Sequence, residues 1–364
     1  MFAYVLNTAF EVIGLVDQYE SFIWTDRYRE YGDFELTCFP DPQIIADCKI
    51  DYYLLNPESE HMMIIEGLEV DTDSEEGNRY IITGRSLESI LDRRVVWKLT
   101  NISGSLQNGV KQLLTDAFIA PEIEARKVAN FVFKESTDPA ITELKHEAQF
   151  TGDNIYSVIK DMCSEHDIGF KITLDAENNF VFELYKGTDR SYDQTENTYV
   201  VFSPKFDNII NSQYAETVKE YRNVALIGGE GEAEERKYAT AGEADGLTRR
   251  ELFSDARGVS SKKEDDTTMS DEEYTALLTQ RGTKDLADYP WAKAFEGEVD
   301  ATNGFVYGTD FFLGDAVQVA NEYGMEGPSI VIEIVWSQDD SGYTCYPTFM
   351  TKDEIDKEKE DAAE

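Results

Sequence analysis

The chain has 364 residues, with 33 basic against 73 acidic side chains, for a formal net charge of −40. That balance excludes wrapping of nucleic acid, which needs clustered Lys and Arg to release counterions, and docking on anionic lipid. Hydrophobic residues make up 41%, with 20 Tyr and 20 Phe among them, so there is apolar material for several cores and the acidity does not signal a disordered chain.

At about 150 residues per domain, the length predicts two to three domains. No apolar run approaches the roughly 18 residues of a membrane-spanning helix. The start, MFAYVLNTAFEVIGLV, has no basic leader and alternates apolar with polar, so it reads as strands of a cytoplasmically made chain and not as a signal peptide. In the first hundred residues the runs FAYVL, EVIGLV, DFELTCF, YYLL, MMIIEGLEV and RYIITG are separated by turn residues, the spacing of an antiparallel barrel or sandwich. Residues 62–84 read as a hairpin, followed by a short helix that Ser86 can cap, with Leu87, Ile90 and Leu91 on one face.

Between about 100 and 200 the period lengthens. Leu106, Val110, Leu113, Leu114 and Ala117 predict a helix that Pro121 stops. Ile155, Val158, Ile159, Met162 and Cys163 predict another over Asn154 to His166, with Asp153 as cap and Gly169 as stop. IGFKITL and FVFELYKG then form a hairpin. From 200 the strands return in YVVFS and VALIGG. The acidic, glycine-spotted stretch from Glu230 to Asp266 reads as a solvated loop or insertion in which RKYAT and RRELF form an exposed hairpin. S-D-E-E from Ser270 is a capping box that starts a helix carrying Tyr274, Leu277 and Leu278. FEGEVDA, GDAVQVA, SIVIEIVW and YTCYPTF are the last strands, and 351–364 is a charged tail.

Chemistry-bearing motifs are sparse. Cys38, Cys48, Cys163 and Cys345 form no CxxC pair and read as reduced, structural thiols. The histidines His61, His146 and His166 belong to no HExxH motif, and His61 reads as a surface residue. Cys163 and His166 lie three apart on one helix, but Cys163 shares its apolar face, which favours packing over catalysis. IGGEGE, from Ile227 to Glu232, puts carboxylates where a phosphate loop needs lysine, so it reads as a strand exit. DTDSEE, from Asp71 to Glu76, lacks the spacing of an EF-hand loop. No catalytic, cofactor-binding or metal-binding residue is identified, and no cofactor is expected.

Four blocks in order carry a family resemblance. They are SFIWTDRYREYGDFEL (Ser21 to Leu36), ITGRSLESILDRRVVW (Ile82 to Trp97), then NIYSVIKDMCSEHDIGFKI with KGTDRS, VFSPKFDNIINSQY and YRNVALIGGEGE, and lastly LGDAVQV with SIVIEIVW and DDSGYTCYPTF. Together they resemble the tail-tip or baseplate hub proteins of siphophages and prophages. The resemblance implies a β-rich α+β, multidomain fold in which two tail-tube-like β-barrel domains flank an α+β domain. Its units would be a barrel at 1–100, the α+β unit at 101–200, and a second barrel at 201–350 interrupted by an insertion at about 231–305. It further implies a homotrimer at the virion tail tip that joins a sixfold tube to a threefold tip and lets DNA pass without binding it specifically. A tail tube or distal tail protein would sit above it, and a tip, fibre or lysin protein below. Gly32, Asp33, Phe34, Arg85, Arg93, Asp189, Arg190 and Asp315 are the candidate assembly residues in these blocks. A cell-wall-degrading tail lysin is one alternative; a host receptor or carbohydrate binder using aromatics such as Tyr289 and Trp291 is the other.

Overall fold

The computed structural model describes residues 1–73, 77–232, 236–263, 267–299 and 304–350. The alternating runs near the N-terminus form β1 (Ala3–Leu6), β2 (Val12–Val16), β3 (Ser21–Arg27) and β4 (Asp33–Cys38). A short helix α1 (Pro42–Asp47) follows, capped by the Asp41 carboxylate, and then β5 (Tyr53–Leu55). The expected hairpin is β6 (Met62–Asp73) with β7 (Gly77–Ser86). Its register slips between Ile65 and Gly67, so Glu66 is the extra residue of a bulge, a device that turns a side chain out of the regular alternation. The helix expected after Ser86 is a 3-10 turn over Leu87–Arg93, and Ser86 does not cap it, because its hydroxyl accepts the Gly32 amide instead.

The middle stretch holds β8 (Thr100–Ser105), α2 (Leu106–Leu114), β9 (Phe131–Lys134), α3 (Pro139–Thr142), β10 (Lys145–Phe150), α4 (Ile155–Glu165), β11 (Gly169–Leu174) and β12 (Phe180–Tyr185). Both predicted helices are present. The cap of α4 is Asn154, whose side chain accepts the Ser157 amide, while Asp153 is engaged with the Thr151 amide. The helix ends at His166 and Asp167, the latter in the left-handed region at φ 54°, which a short polar side chain tolerates; the chain has turned before it reaches Gly169.

The last stretch holds β13 (Val201–Phe202), β14 (Ile209–Thr217), β15 (Val224–Gly228), β16 (Tyr238–Ala241), β17 (Glu251–Asp255), α5 (Asp271–Ala287), β18 (Ala292–Val299), β19 (Ala316–Ala320), β20 (Glu326–Asp339) and β21 (Gly342–Met350). The Ser270 capping box is fully formed at the start of α5. RKYAT and RRELF do not pair with each other. They flank the more apolar β15, antiparallel as β16 and parallel as β17, and α5 covers them through Tyr274, Leu277 and Leu278. The described part of 230–266 thus folds with β15 and α5 into a small unit with a shared apolar cluster and is not a solvated loop. Parts of it (233–235 and 264–266), residues 74–76 of the DTDSEE run and the whole 351–364 tail lie outside the described residues.

The two expected barrels are corrected by the sheet topology. Strands from both ends of the chain join one eleven-stranded sheet in the order β13-β19-β20-β3-β4-β7-β6-β5-β1-β2, with β21 also on β20, and among the described residues no sheet closes on itself. The reason lies in β20, a long apolar strand that pairs with β21 on one side and, on the other, with β19 through its first residues and with β3 through its later ones. Trp336 stands opposite Trp24, and Phe22, Phe34, Phe202, Phe311 and Phe349 fill the same core. A second core lies under α2 and α4, with Phe118, Phe131, Phe170 and Phe182.

Candidate assembly site

The candidate residues near the N-terminus converge on one corner. The Gly32 amide donates to Ser86 Oγ at 2.7 Å and the Ser86 amide donates back to the Gly32 carbonyl at 2.9 Å. A Cβ on Gly32 would stand 2.1 Å from the Thr25 carbonyl oxygen, so close backbone approach requires glycine here. Phe34 is buried and stacks on Trp24, with ring centroids 6.0 Å apart. Asp33, on the other face, accepts from Arg27 Nη1 at 2.6 Å, and Arg27 Nε reaches Glu333 on β20 at 2.7 Å. Arg85 lies opposite Asp33 in the sheet register, but it forks onto the bulged Glu66 at 2.6 and 3.1 Å, reaches Asp92 at 3.2 Å and lies over the Tyr31 ring. Arg93 stands 3.5 Å from Asp51 and 3.7 Å from Glu66. The outer members of this network face water, where each pair contributes little to stability.

The remaining candidates form a second constellation, where the chain leaves the middle stretch. Asp315 is buried, accepts the Thr188 amide at 2.7 Å and the Phe312 amide at 3.0 Å, and pairs with Arg190 Nε at 2.7 Å. Asp189 turns the other way and caps the Ser191 amide and hydroxyl. Tyr28, at the end of β3, completes the joint: Gly187 and Gly314 pack so closely around it and one another that a Cβ on either would lie within 2.3 Å of a neighbouring atom. Three distant segments therefore meet at the Arg190 and Asp315 pair.

Sequence reasoning missed a third group. His61 is buried and not on the surface: its Nδ1 lies 3.0 Å from Glu88 Oε1, which also accepts the Ile172 amide at 2.7 Å. Burial works against a charged His61, but Glu88 and Asp26 overcome it and hold the imidazole up to about 9. Burial raises the Asp26 carboxyl, which accepts from Trp24 Nε1 and Ser59 Oγ. The only sequence sign of this network was an acidic residue inside the apolar run after Ser86.

No nucleophile is prepared in these groups. Burial pushes the Cys163 thiol up to about 12, the wrong direction for a reactive thiolate. IGGEGE is a strand exit: the Gly229 amide bonds the Lys237 carbonyl, and Glu230 holds the Ser261 amide and hydroxyl. Of the aromatics considered for receptor binding, Tyr289 lies under Arg222, and Trp291 is half exposed beside Tyr221 with its Nε1 on Glu216. No helix among the described residues is long and apolar enough to cross a membrane.

One surface feature stands apart. β2 ends the large sheet, paired on one side by β1, and it exposes Val12, Ile13 and Leu15 beside α1, which itself exposes Ile45. Apolar side chains on an unpaired strand edge form a surface that soluble monomers avoid.

The family model described as Siphovirus ReqiPepy6 Gp37-like protein matches residues 2–349. The chain belongs to this family. The fold is shared with solved structures, two prophage tail proteins among them. Prophage tail protein gp18 from Listeria monocytogenes EGD-e is 12% identical at a TM-score of 0.60, with 100% of this chain and 99% of that one covered. The 43 kDa tail protein of prophage MuSo2 from Shewanella oneidensis is 11% identical at 0.61, covering 97% and 99%. A chain of the Francisella PdpA-VgrG complex is 8% identical at 0.52, covering 96% of this chain and 52% of that one. No curated protein matches. The siphoviral resemblance of the four sequence blocks therefore holds, and the Gp37-like family here has a phage tail-protein fold.

Proposed function

We propose that this Gp37-like chain is a structural tail-tip or baseplate hub protein, assembling as a homotrimer whose ring joins the tail tube to the tip. The observation that carries the reading is the exposed edge of β2, with Val12, Ile13 and Leu15 open to a second copy at the end of a continuous eleven-stranded sheet. Strand addition at such an edge supplies backbone hydrogen bonds, and the apolar side chains supply burial. The full-length match to prophage tail proteins supports the same role. In this reading a tube or distal tail protein docks above and a tip, fibre or lysin protein below, and the chain, made in the host cytoplasm, resides at the virion tail tip.

The division into 1–100, 101–200 and 201–350 with an insertion at 231–305 belongs to the proposal. The separate apolar clusters under α2 and α4 and under α5 support the middle unit and the insertion, and the outer two units share one sheet and core. The Gly32, Asp33, Phe34, Arg85 and Arg93 corner and the Asp189, Arg190 and Asp315 joint are assigned to holding these units in the orientation assembly needs.

Three copies at −40 each carry −120, and carboxylates along a central passage would repel the DNA backbone and let the genome slide. Gel-shift assays with duplex DNA are expected to show no retention at low or high salt; retention would overturn this use of the charge. The assembly itself is tested by light scattering over a concentration series. A mass near 124 kDa, three times 41.4 kDa, is expected, and a monomer at every concentration would overturn the trimer. Peptidoglycan release by the purified chain is expected to stay at background, and release above it would return the lysin reading.

A further inference from the structure

The cleft between the middle stretch and α5 holds a side-chain group that the assembly role does not use. His146 comes from β10 and is buried; Glu165 is the last residue of α4 and His166 its C-cap. His146 Nδ1 lies 3.2 Å from His166 Nε2 and 3.6 Å from Glu165 Oε2, and one ligand atom from each of the three residues falls within 4.8 Å of the others. Bonds of about 2.0–2.1 Å in a tetrahedron put neighbouring ligand atoms about 3.3–3.4 Å apart, so the two measured separations bracket what a zinc-class ion requires.

Two further observations point the same way. The cleft, about 380 Å³, is lined by His146 and Glu165, which leaves room on the ligand side for a water in a fourth position. Gln280 of α5 donates to Glu165 Oε1, leaving Oε2 toward His146; an outer hydrogen bond of this kind orients a ligating carboxylate. The cleft wall also carries two cations, Lys284, paired with Asp161 at 2.8 Å, and Arg281, paired with Asp285 at 2.7 Å.

We propose that His146, Glu165 and His166 form a three-ligand site for a divalent transition metal of the zinc class, with its fourth position open to the cleft. Two imidazoles and one carboxylate suit such an ion and not magnesium or calcium, which take all-oxygen sites. Ligands come from β10 and the end of α4, and Gln280 couples the site to α5, so metal binding would clamp the 231–305 segment onto the middle stretch.

The test uses the untagged full chain with zinc, and with cobalt(II) as a spectroscopic probe, in a large excess of magnesium that saturates the many surface carboxylates. One zinc per chain by native mass spectrometry, and the intense visible absorption of four-coordinate cobalt(II), are expected. His166→Gln, at the partly exposed cap, should abolish the cobalt band, and Gln280→Ala should weaken binding about tenfold or more. Zinc displaced by the magnesium, only the weak absorption of six-coordinate cobalt(II), or an unchanged band in a folded His166→Gln chain would each overturn the site. The spectrum of the unaltered chain decides the matter even where a variant fails to fold, and none of these readouts depends on trimer formation.

Discussion

Arg190 Nε donates to the buried carboxylate of Asp315 at 2.7 Å across 125 positions of sequence, and the same carboxylate holds the amides of Thr188 and Phe312. Removing the acid strands a mostly buried guanidinium and two backbone donors together. Asp315→Ala is expected to lose about 3–5 kcal/mol in urea unfolding, and Arg190→Ala less, because Asp315 keeps its amide partners. A double-mutant cycle with no coupling between the two would refute the joint.

Gly32 has no room for a methyl group. Gly32→Ala would drive a Cβ into the Thr25 carbonyl and break the reciprocal bonds with Ser86, at a cost of about 3 kcal/mol or more. Gly77→Ala meets no atom within 4 Å and suffers only from its φ of 95°, so it should cost clearly less. Equal thermal shifts in the two variants would show that crowding is not what selects Gly32.

Stability should depend on pH through His61. Its folded value is raised from 6.5 to about 9, so its contribution is full below about 6.5 and is lost as pH rises through about 9. Asp26, also raised, adds loss in the same sense with rising pH; Glu88, lowered, contributes above its ordinary range and loses that contribution only in acid. The urea midpoint of the natural chain should therefore fall between about 6.5 and 9, while His61→Gln, less stable overall, should be flatter across that window. Parallel pH profiles for the two chains would remove His61 from the account.

Charge on the β2 edge should separate folding from assembly. Ile13 and Leu15 are exposed, so Ile13→Lys with Leu15→Lys should change the unfolding free energy of the chain by no more than about 1 kcal/mol while reducing the mass from trimer to monomer. A trimer that survives both lysines would place the interface elsewhere.

Much of the local structure was readable because short-range chemistry determines it. Phe34 and Leu36 alternate toward the core, the apolar positions of α4 follow one helical face, and Ser270 with Glu273 closes a capping box. Long-range partners were not readable. Nothing beside Glu88 announces that His61, 27 positions away, will share its burial, and nothing beside Glu66 announces the bulge that turns it to Arg85 and Arg93. The barrels failed for the same reason: β20 reads equally well as the edge of a closed second unit or as the neighbour of β3, and only the Trp24 and Trp336 core decides between them.

That pairing also orders events during synthesis. Trp24 leaves the ribosome more than three hundred residues before Trp336, so β3 keeps one hydrogen-bonding side and a tryptophan uncovered throughout that stretch of synthesis. Non-local pairing of this kind is slow, and an uncovered strand side invites association between nascent chains. The middle stretch, with its own core, is free to fold during that wait, and the acidity of the chain keeps unfinished copies apart until the last strands arrive.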